Sequence, residues 1–129
     1  MNRTLMLLGS FFGLTAVIIG AFATHGLEPL LTTKQLSSFE TGVKYQIYHA
    51  FLLLFLSLSQ KILPRQKRIL LYMICLGIVL FSGSIYGLAT NQYSSFDFTT
   101  IALITPVGGS LLIISWMMLF VYSFKHKEE

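Results

Sequence analysis

Four long apolar stretches, separated by short polar ones, dominate the chain. They span about residues 4–24, 38–62, 69–91 and 100–124, and the first, third and fourth contain no charged residue. A transmembrane helix needs about 20 consecutive apolar residues, so each stretch is long enough to cross a bilayer. The pattern predicts an all-α integral membrane protein, in which residues 1–129 form a single transmembrane domain built as a four-helix bundle.

The first apolar stretch has two interpretations. Arg3 and the segment 21–23 fit a cleaved signal peptide, but the apolar run exceeds the usual length of about 7–15 residues. Small residues also recur with helical spacing, at Gly9, Gly13, Ala16 and Gly20. Such a stripe lets another helix approach closely, so we expect a retained membrane helix.

Residues 25–37 separate the first two helices. Pro29 is typical of a helix break, whereas four leucines make the segment too apolar for a free loop. We therefore expect a short segment that lies in the membrane interface. The sequence does not decide whether this segment is helical. Ser37 and Glu40 fit a capping box, which predicts that the second helix begins near residues 37–38. Pro64 is expected to end it.

Charged residues make up 11% of the chain, against roughly 25% in soluble domains, which excludes a soluble globular protein. The formal net charge is +4, but the basic residues lie between apolar stretches, where they set membrane orientation rather than bind nucleic acid. Four lie within residues 61–68, two within 125–129 and none within 91–99. The positive-inside rule therefore predicts two cytoplasmic termini, with His126 on an exposed tail.

The second apolar stretch carries a high density of polar side chains between residues 38 and 49. At about 100° per residue, these side chains fall on two faces of a helix. One face carries Glu40, Lys44 and Tyr48, and the other carries Gly42, Tyr45, Gln46 and His49. We interpret the first face as an interfacial anchor. The second is expected to face the bundle interior, because ionisable residues within a membrane avoid lipid.

His49 is the central candidate for chemistry. Inside the bundle, a neutral imidazole could bind a metal, haem or a quinone, or relay a proton. The alternative is a packing histidine that is hydrogen-bonded across helices to Ser82, Ser84 or Thr105. His25 is a weak candidate for a second metal ligand, because the spacing of 24 residues matches no metal motif. No metal site is therefore predicted.

Four segments resemble, in order and over nearly the whole chain, the DUF423 family. They are GAFATHGL at 20–27, FETGVKYQIYHA at 39–50, LFSGSIY at 80–86 and ITPVGG at 104–109. Thr24 departs from the family pattern, which has a small residue such as glycine there. The resemblance implies a small four-span protein of the bacterial cytoplasmic membrane. It brings no established activity and no catalytic residue.

No hydrolase, zinc-protease or phosphate-loop motif occurs in the chain. We predict a non-enzymatic membrane protein that binds a small or lipid-like ligand or supports assembly of a membrane complex. The expected partners are membrane lipids and a second copy or another membrane protein; the sequence identifies no cofactor. The candidate ligand-binding residues are His25, Glu40, Tyr45, Gln46, His49, Ser84, Tyr86 and Thr105.

Two alternatives stay open. A small transporter or proton-coupled carrier is indicated by His49, by the glycine-rich helix faces and by Pro106, which is predicted to kink the fourth helix. A metal- or haem-dependent redox protein would use His25 and His49.

Overall fold

Four long helices account for most of residues 1–125, the part of the chain that the computed structural model describes. They are α1 (Asn2–Leu27), α2 (Thr33–Leu58), α3 (Pro64–Ala89) and α4 (Ile104–Lys125). No strand occurs within residues 1–125. The prediction of an all-α, four-helix membrane fold is confirmed. The predicted exposed position of His126 lies outside the described residues.

Three of the four helices, α1, α3 and α4, are long and apolar enough to cross a membrane. Helix α2 is as long as α1, at 26 residues, but Lys44, Gln46 and His49 lower its hydropathy. It runs antiparallel to α1 and packs along it. A Cβ on Gly9 would lie 3.0 Å from Leu54, so the small residues of α1 allow this close approach.

In space, α2 and α3 form the centre, α1 covers α2, and α4 covers α3. The larger apolar core lies at the end of the molecule formed by residues 1–5, 59–67 and 119–125, which we call the basic end. A smaller core, including Phe39 and Ala89, lies at the opposite end, which we call the loop end. The loop end comprises residues 23–33 and 90–103.

The first two helices meet through a shorter connection than the sequence predicts. Helix α1 continues through a π-helical turn at Ala23–Leu27, so only residues 28–32 connect it to α2. The capping box that begins α2 is formed by Thr32 and Gln35, whose reciprocal hydrogen bonds measure 3.1 and 3.0 Å. The predicted start at Ser37 was wrong, because an earlier Thr-x-x-Gln pattern satisfies the same backbone donors.

Two prolines begin helices rather than end or bend them. Pro64 is the first residue of α3, whereas α2 already ends at Leu58. Pro106 lies in the first turn of α4, which begins at Ile104. Proline is tolerated in a first turn, because the backbone N–H that it lacks has no partner there. The predicted kink within the fourth helix was therefore wrong.

A second π-helical turn, at Val79–Gly83, interrupts α3 where its neighbours come closest. Gly108 of α4 packs directly on this turn, and a Cβ at that position would overlap the backbone of Leu80 and Phe81. On the other side, the Ser82 hydroxyl donates a hydrogen bond of 2.7 Å to the Gly42 carbonyl of α2. The turn therefore contacts α2 and α4 at the same height.

At the basic end, Lys67 is buried although the sequence places it in an exposed loop. Its ammonium donates hydrogen bonds to Asn2 Oδ1 at 2.8 Å and to the Ser59 carbonyl at 2.6 Å. A cation at this position satisfies a carbonyl at the C-terminal end of α2. The loop itself is only residues 59–63, because α3 begins at Pro64.

Candidate functional site

Gln46 forms a polar contact that joins three helices in the bundle interior. Its Nε2 donates to the Phe12 carbonyl at 2.9 Å and to Thr15 Oγ1 at 2.8 Å, both on α1. Its Oε1 accepts a hydrogen bond of 2.6 Å from the Tyr86 hydroxyl of α3. We call these groups the glutamine node. Every polar atom of the Gln46 side chain has a partner here, so the node is fully satisfied.

The glutamine node is tightly packed. A Cβ on Gly42 would lie 2.7 Å from Tyr86 Cε1, so only glycine leaves room for the tyrosine ring at this position. Phe39, also on α2, packs against that ring with a centroid distance of 4.9 Å. A polar contact with this little free space favours helix packing and register.

His49 lies one helical turn beyond Gln46 and is also buried. Trp116 of α4 donates its indole N–H to His49 Nε2 at 3.0 Å, and His49 Nδ1 lies 2.7 Å from the Tyr45 carbonyl. Because indole can only donate, Nε2 must accept, so the imidazole proton is on Nδ1 and donates to Tyr45. His49 is therefore a neutral cross-helix partner, bonded to Trp116 and not to the hydroxyl residues that the sequence suggests.

Trp116 divides a groove that runs between α2 and α4. Below it, toward the basic end, lies a cavity of about 470 Å³, which we call the lower chamber. Above it lies a cavity of about 270 Å³, the upper chamber, which Tyr45, His49 and Phe81 help to line. Trp116 lines both chambers. We call the two together the α2–α4 groove.

The lower chamber has an apolar wall and a polar mouth. Leu52, Phe55 and Leu119 contribute to the wall. The mouth lies at the basic end, where Lys61, Ser59 and Ser123 also line the cavity. This combination of an apolar body with one cationic end matches the chemistry of an amphiphile with an anionic head.

The residues predicted as one site do not come together. Ser84 and Thr105 are hydrogen-bonded to each other and join α3 to α4, whereas Tyr86 belongs to the glutamine node. Glu40 is exposed. Tyr45 is 41% exposed and stacks against His49, so it lies at the rim of the upper chamber rather than in the bundle interior.

His25 is exposed at the loop end and lies far from His49. Gly20 packs against Val43 and Gly9 against Leu54, which places His25 level with residue 38 of α2. The level of His49 is 11 residues further along α2, or about 16 Å. Within residues 1–125, no group of three or more His, Cys, Asp or Glu side chains could hold a metal ion.

Sequence reasoning missed Trp116, Lys61 and Ser123. Trp116 lies in an uncharged run and gives no periodic pattern of its own. One signal was available, because an indole N–H within a membrane needs an acceptor and His49 is one of few candidates. Lys61 and Ser123 are far apart in the chain, and only the packing of α4 beside α2 brings both to one cavity.

The sequence profile described as a protein of unknown function, DUF423, matches residues 19–109. The chain belongs to the DUF423 family. No solved structure is detectably similar to this DUF423 protein.

Its similarity to curated relatives extends over nearly the full length of both chains. A UPF0382 membrane protein of Haemophilus influenzae is 40% identical over 97% of this chain and 94% of its own. YwdK, a UPF0382 membrane protein of Bacillus subtilis, is 37% identical over 96% and 98%. YgdD, a UPF0382 inner membrane protein of Escherichia coli, is 28% identical over 99% and 95%. These names identify membrane proteins and no biochemical activity.

Proposed function

We propose that this DUF423 protein is a non-enzymatic, multi-pass protein of the bacterial cytoplasmic membrane that binds a lipid-like ligand in the α2–α4 groove. The ligand is an amphiphile with an anionic head, held at the mouth of the lower chamber by Lys61. Its apolar chain extends along the groove toward Trp116. The lower chamber, apolar along its wall and cationic at its mouth, is the observation that carries this proposal.

The size of the lower chamber supports this assignment. Its volume of about 470 Å³ lies within the range of about 300–1,000 Å³ that is common for small-molecule sites. The cavity opens between two helices, so a lipid can enter sideways from the bilayer. A long apolar ligand gains binding energy from the aromatic and aliphatic wall, while the lysine and two serines orient its head.

The distribution of charge supports an orientation with the basic end in the cytoplasm. That end carries Arg3, Lys61, Arg65, Lys67, Arg68 and Lys125 among the described residues. The loop end and the adjacent part of α2 carry two lysines and three acidic residues. The positive-inside rule places the basic end at the cytoplasmic leaflet, which contains the anionic lipids that Lys61 would attract. The name of YgdD, an inner membrane protein, agrees with this location.

Trp116 provides the test, because it is the only tryptophan in the chain and lines the groove. In phosphatidylcholine liposomes, which add no tryptophan of their own, we expect brominated phosphatidylglycerol to quench Trp116 fluorescence at a lower mole fraction than brominated phosphatidylcholine. Lys61→Gln should remove that preference. Arg65→Gln is the matched control, since Arg65 is exposed at the same end and does not line the chamber. Equal quenching by both lipids in the wild-type protein would overturn the proposal.

The alternatives have less support. A proton-coupled carrier would use His49 as its titrating group, yet both ring nitrogens are engaged, Nε2 by the Trp116 indole N–H and Nδ1 by the Tyr45 carbonyl. Pro106 also provides no kink for a moving helix. For a metal or haem at His49, Nε2 would have to lose its bond to Trp116. Assembly with a second copy or another membrane protein stays a separate hypothesis, which native mass spectrometry of the membrane extract would test.

A further inference from the structure

The His49–Trp116 pair lies across the α2–α4 groove at one height. Trp116 lines the chamber on each side of it, and the pair contributes the only hydrogen bond between α2 and α4 side chains within residues 1–125. Along α4, Trp116 is seven residues from Ser123 at the mouth, a rise of about 10 Å. The upper chamber extends the same path to Gly109, about 21 Å from Ser123.

The indole is held in place and does not merely fill space. Trp116 is 48% exposed, so packing alone leaves half of its surface uncovered. Its N–H is directed at His49 Nε2, and His49 is itself oriented by the Tyr45 carbonyl. The imidazole and indole rings meet edge to face at 70°, with their centroids 5.9 Å apart. Two successive hydrogen bonds therefore hold the ring across the groove.

We propose that Trp116, positioned by His49, sets the length of the apolar chain that the α2–α4 groove accepts. This inference rests on the proposed function, and it deepens it by naming a specificity-determining residue. A chain that enters at Lys61 runs along the lower chamber and meets the indole. Chains that reach Trp116 fill the lower chamber, and additional methylenes gain no further contact with the groove until the ring moves away.

We expect the affinity for alkyl phosphates to rise with alkyl chain length and then to reach a plateau. Each methylene that moves from the micelle into the lower chamber gains van der Waals contact with its wall, so affinity rises with chain length until the chain reaches Trp116. Beyond the length that reaches Trp116, further methylenes add nothing. Trp116→Ala joins the two chambers, so the plateau moves to longer chains. His49→Leu keeps the indole and removes its acceptor, which moves the plateau in the same direction by a smaller amount.

The experiment measures binding of monoalkyl phosphates, from butyl to octadecyl, by native mass spectrometry of the full chain released from a non-ionic detergent. The control is Phe120→Ala, which removes an exposed aromatic ring of α4 that lines neither chamber. We expect the control and the wild-type protein to reach a plateau at the same chain length. If Trp116→Ala does not fold, the His49→Leu profile decides the matter.

The results separate the two proposals. A wild-type protein that binds no alkyl phosphate overturns the proposed function, and the length limit with it. A protein that binds them, but with one profile for wild type, Trp116→Ala and His49→Leu, retains the groove and overturns the role of Trp116. A plateau at a longer chain length in Phe120→Ala would likewise overturn the role of Trp116, because loss of any aromatic ring on α4 would then be enough to change the chain length that is accepted.

Discussion

Gln46 and His49 lie one turn apart on the same face of α2, and their side chains are 4% and 3% exposed. Their surroundings differ. Gln46 is enclosed by α1 and α3, and the groups that bond to it are themselves partly buried. His49 bonds to Trp116, whose ring is half exposed and lines two cavities.

Under the proposed function, burial alone does not separate a structural polar residue from one beside the binding site, whereas the exposure of its partner does. A buried group with partly buried partners fixes how helices pack, and a buried group that holds an exposed partner can position a surface for a ligand. The first three variants below test that distinction, beginning with the largest expected effect on stability.

Gln46→Leu should be the most destabilising change. It removes the donor to Thr15 and Phe12, and it leaves the partly buried Tyr86 hydroxyl without its amide acceptor. We expect a loss of about 2–3 kcal/mol in the free energy of unfolding, measured by SDS titration in mixed micelles. Adding Tyr86→Phe should recover part of the loss. If the double variant is less stable than Gln46→Leu, the two residues do not act as one node.

Gly42→Ala tests how little space the node has. A Cβ there would lie 2.7 Å from the Tyr86 ring, so the ring must move and its bond to Gln46 weakens. We expect a loss of about 1–3 kcal/mol in the same titration. The matched control is Gly109→Ala beside the groove, where a Cβ meets Phe81 at 3.3 Å. That variant should stay within about 0.5 kcal/mol of wild type. Equal losses would contradict the contrast between the two regions.

Trp116→Phe should cost less than either change in the node. The phenyl ring keeps the apolar contact with α2, and His49 Nε2 loses one hydrogen bond beside an open chamber. Hydrogen bonds between membrane helices average about 0.6 kcal/mol, and we expect a loss of that size. A loss as large as that of Gln46→Leu would make the His49 contact a second structural node and remove the contrast.

A hydrogen-bonded cluster in an exposed loop provides a comparison with the two polar contacts inside the bundle. Asp97, in the loop between α3 and α4, accepts hydrogen bonds from the Thr99 hydroxyl, the Thr99 backbone N–H and the Asn91 amide. These bonds, with the Thr99 hydroxyl first, lower the pKa of Asp97 below its usual value. The carboxylate therefore stabilises the loop above the unfolded pKa of about 3.9. That contribution is lost as the pH falls through the lowered folded pKa.

Carbon-13 NMR of the Asp97 carboxyl group, in micelles, measures this directly. We expect its titration midpoint below that of an unstructured aspartate. Thr99→Val, which removes the hydroxyl donor, should move the midpoint upward. A midpoint that does not respond to this change would show that the loop bonds do not form in solution.

The sequence predicts the four helices well, because long apolar stretches form helices in a membrane, and three of the four are apolar enough to cross it. The four apolar stretches correspond to the four helices, and the DUF423 resemblance is confirmed by the family match. Helix ends are harder. Ser37 and Thr32 each begin a capping pattern, and only the full structure distinguishes them. Pro64 can end one helix or begin the next, and the sequence does not decide which.

The site was predictable only in part. Helical spacing separates Glu40 from Gln46 and His49, because the residues of one helix share a fixed geometry. It says nothing of which residue on another helix lies opposite. Trp116 is 67 residues from His49, and Tyr86 is 40 residues from Gln46. Such pairs depend on the lateral position and register of separate helices, which no periodicity within one helix contains.

The π-helical turn at Val79–Gly83 holds one residue more than an α-helical turn would. Gly83 is exposed, and a Cβ there would meet nothing within 4 Å. Deletion of Gly83 would convert the segment to a regular α-helical turn and leave Ser84–Ala89 in nearly the same orientation, so Tyr86 would still face Gln46. A one-residue alignment gap within this turn is therefore compatible with the same packing, whereas the same gap elsewhere in α3 would rotate all later residues by about 100°.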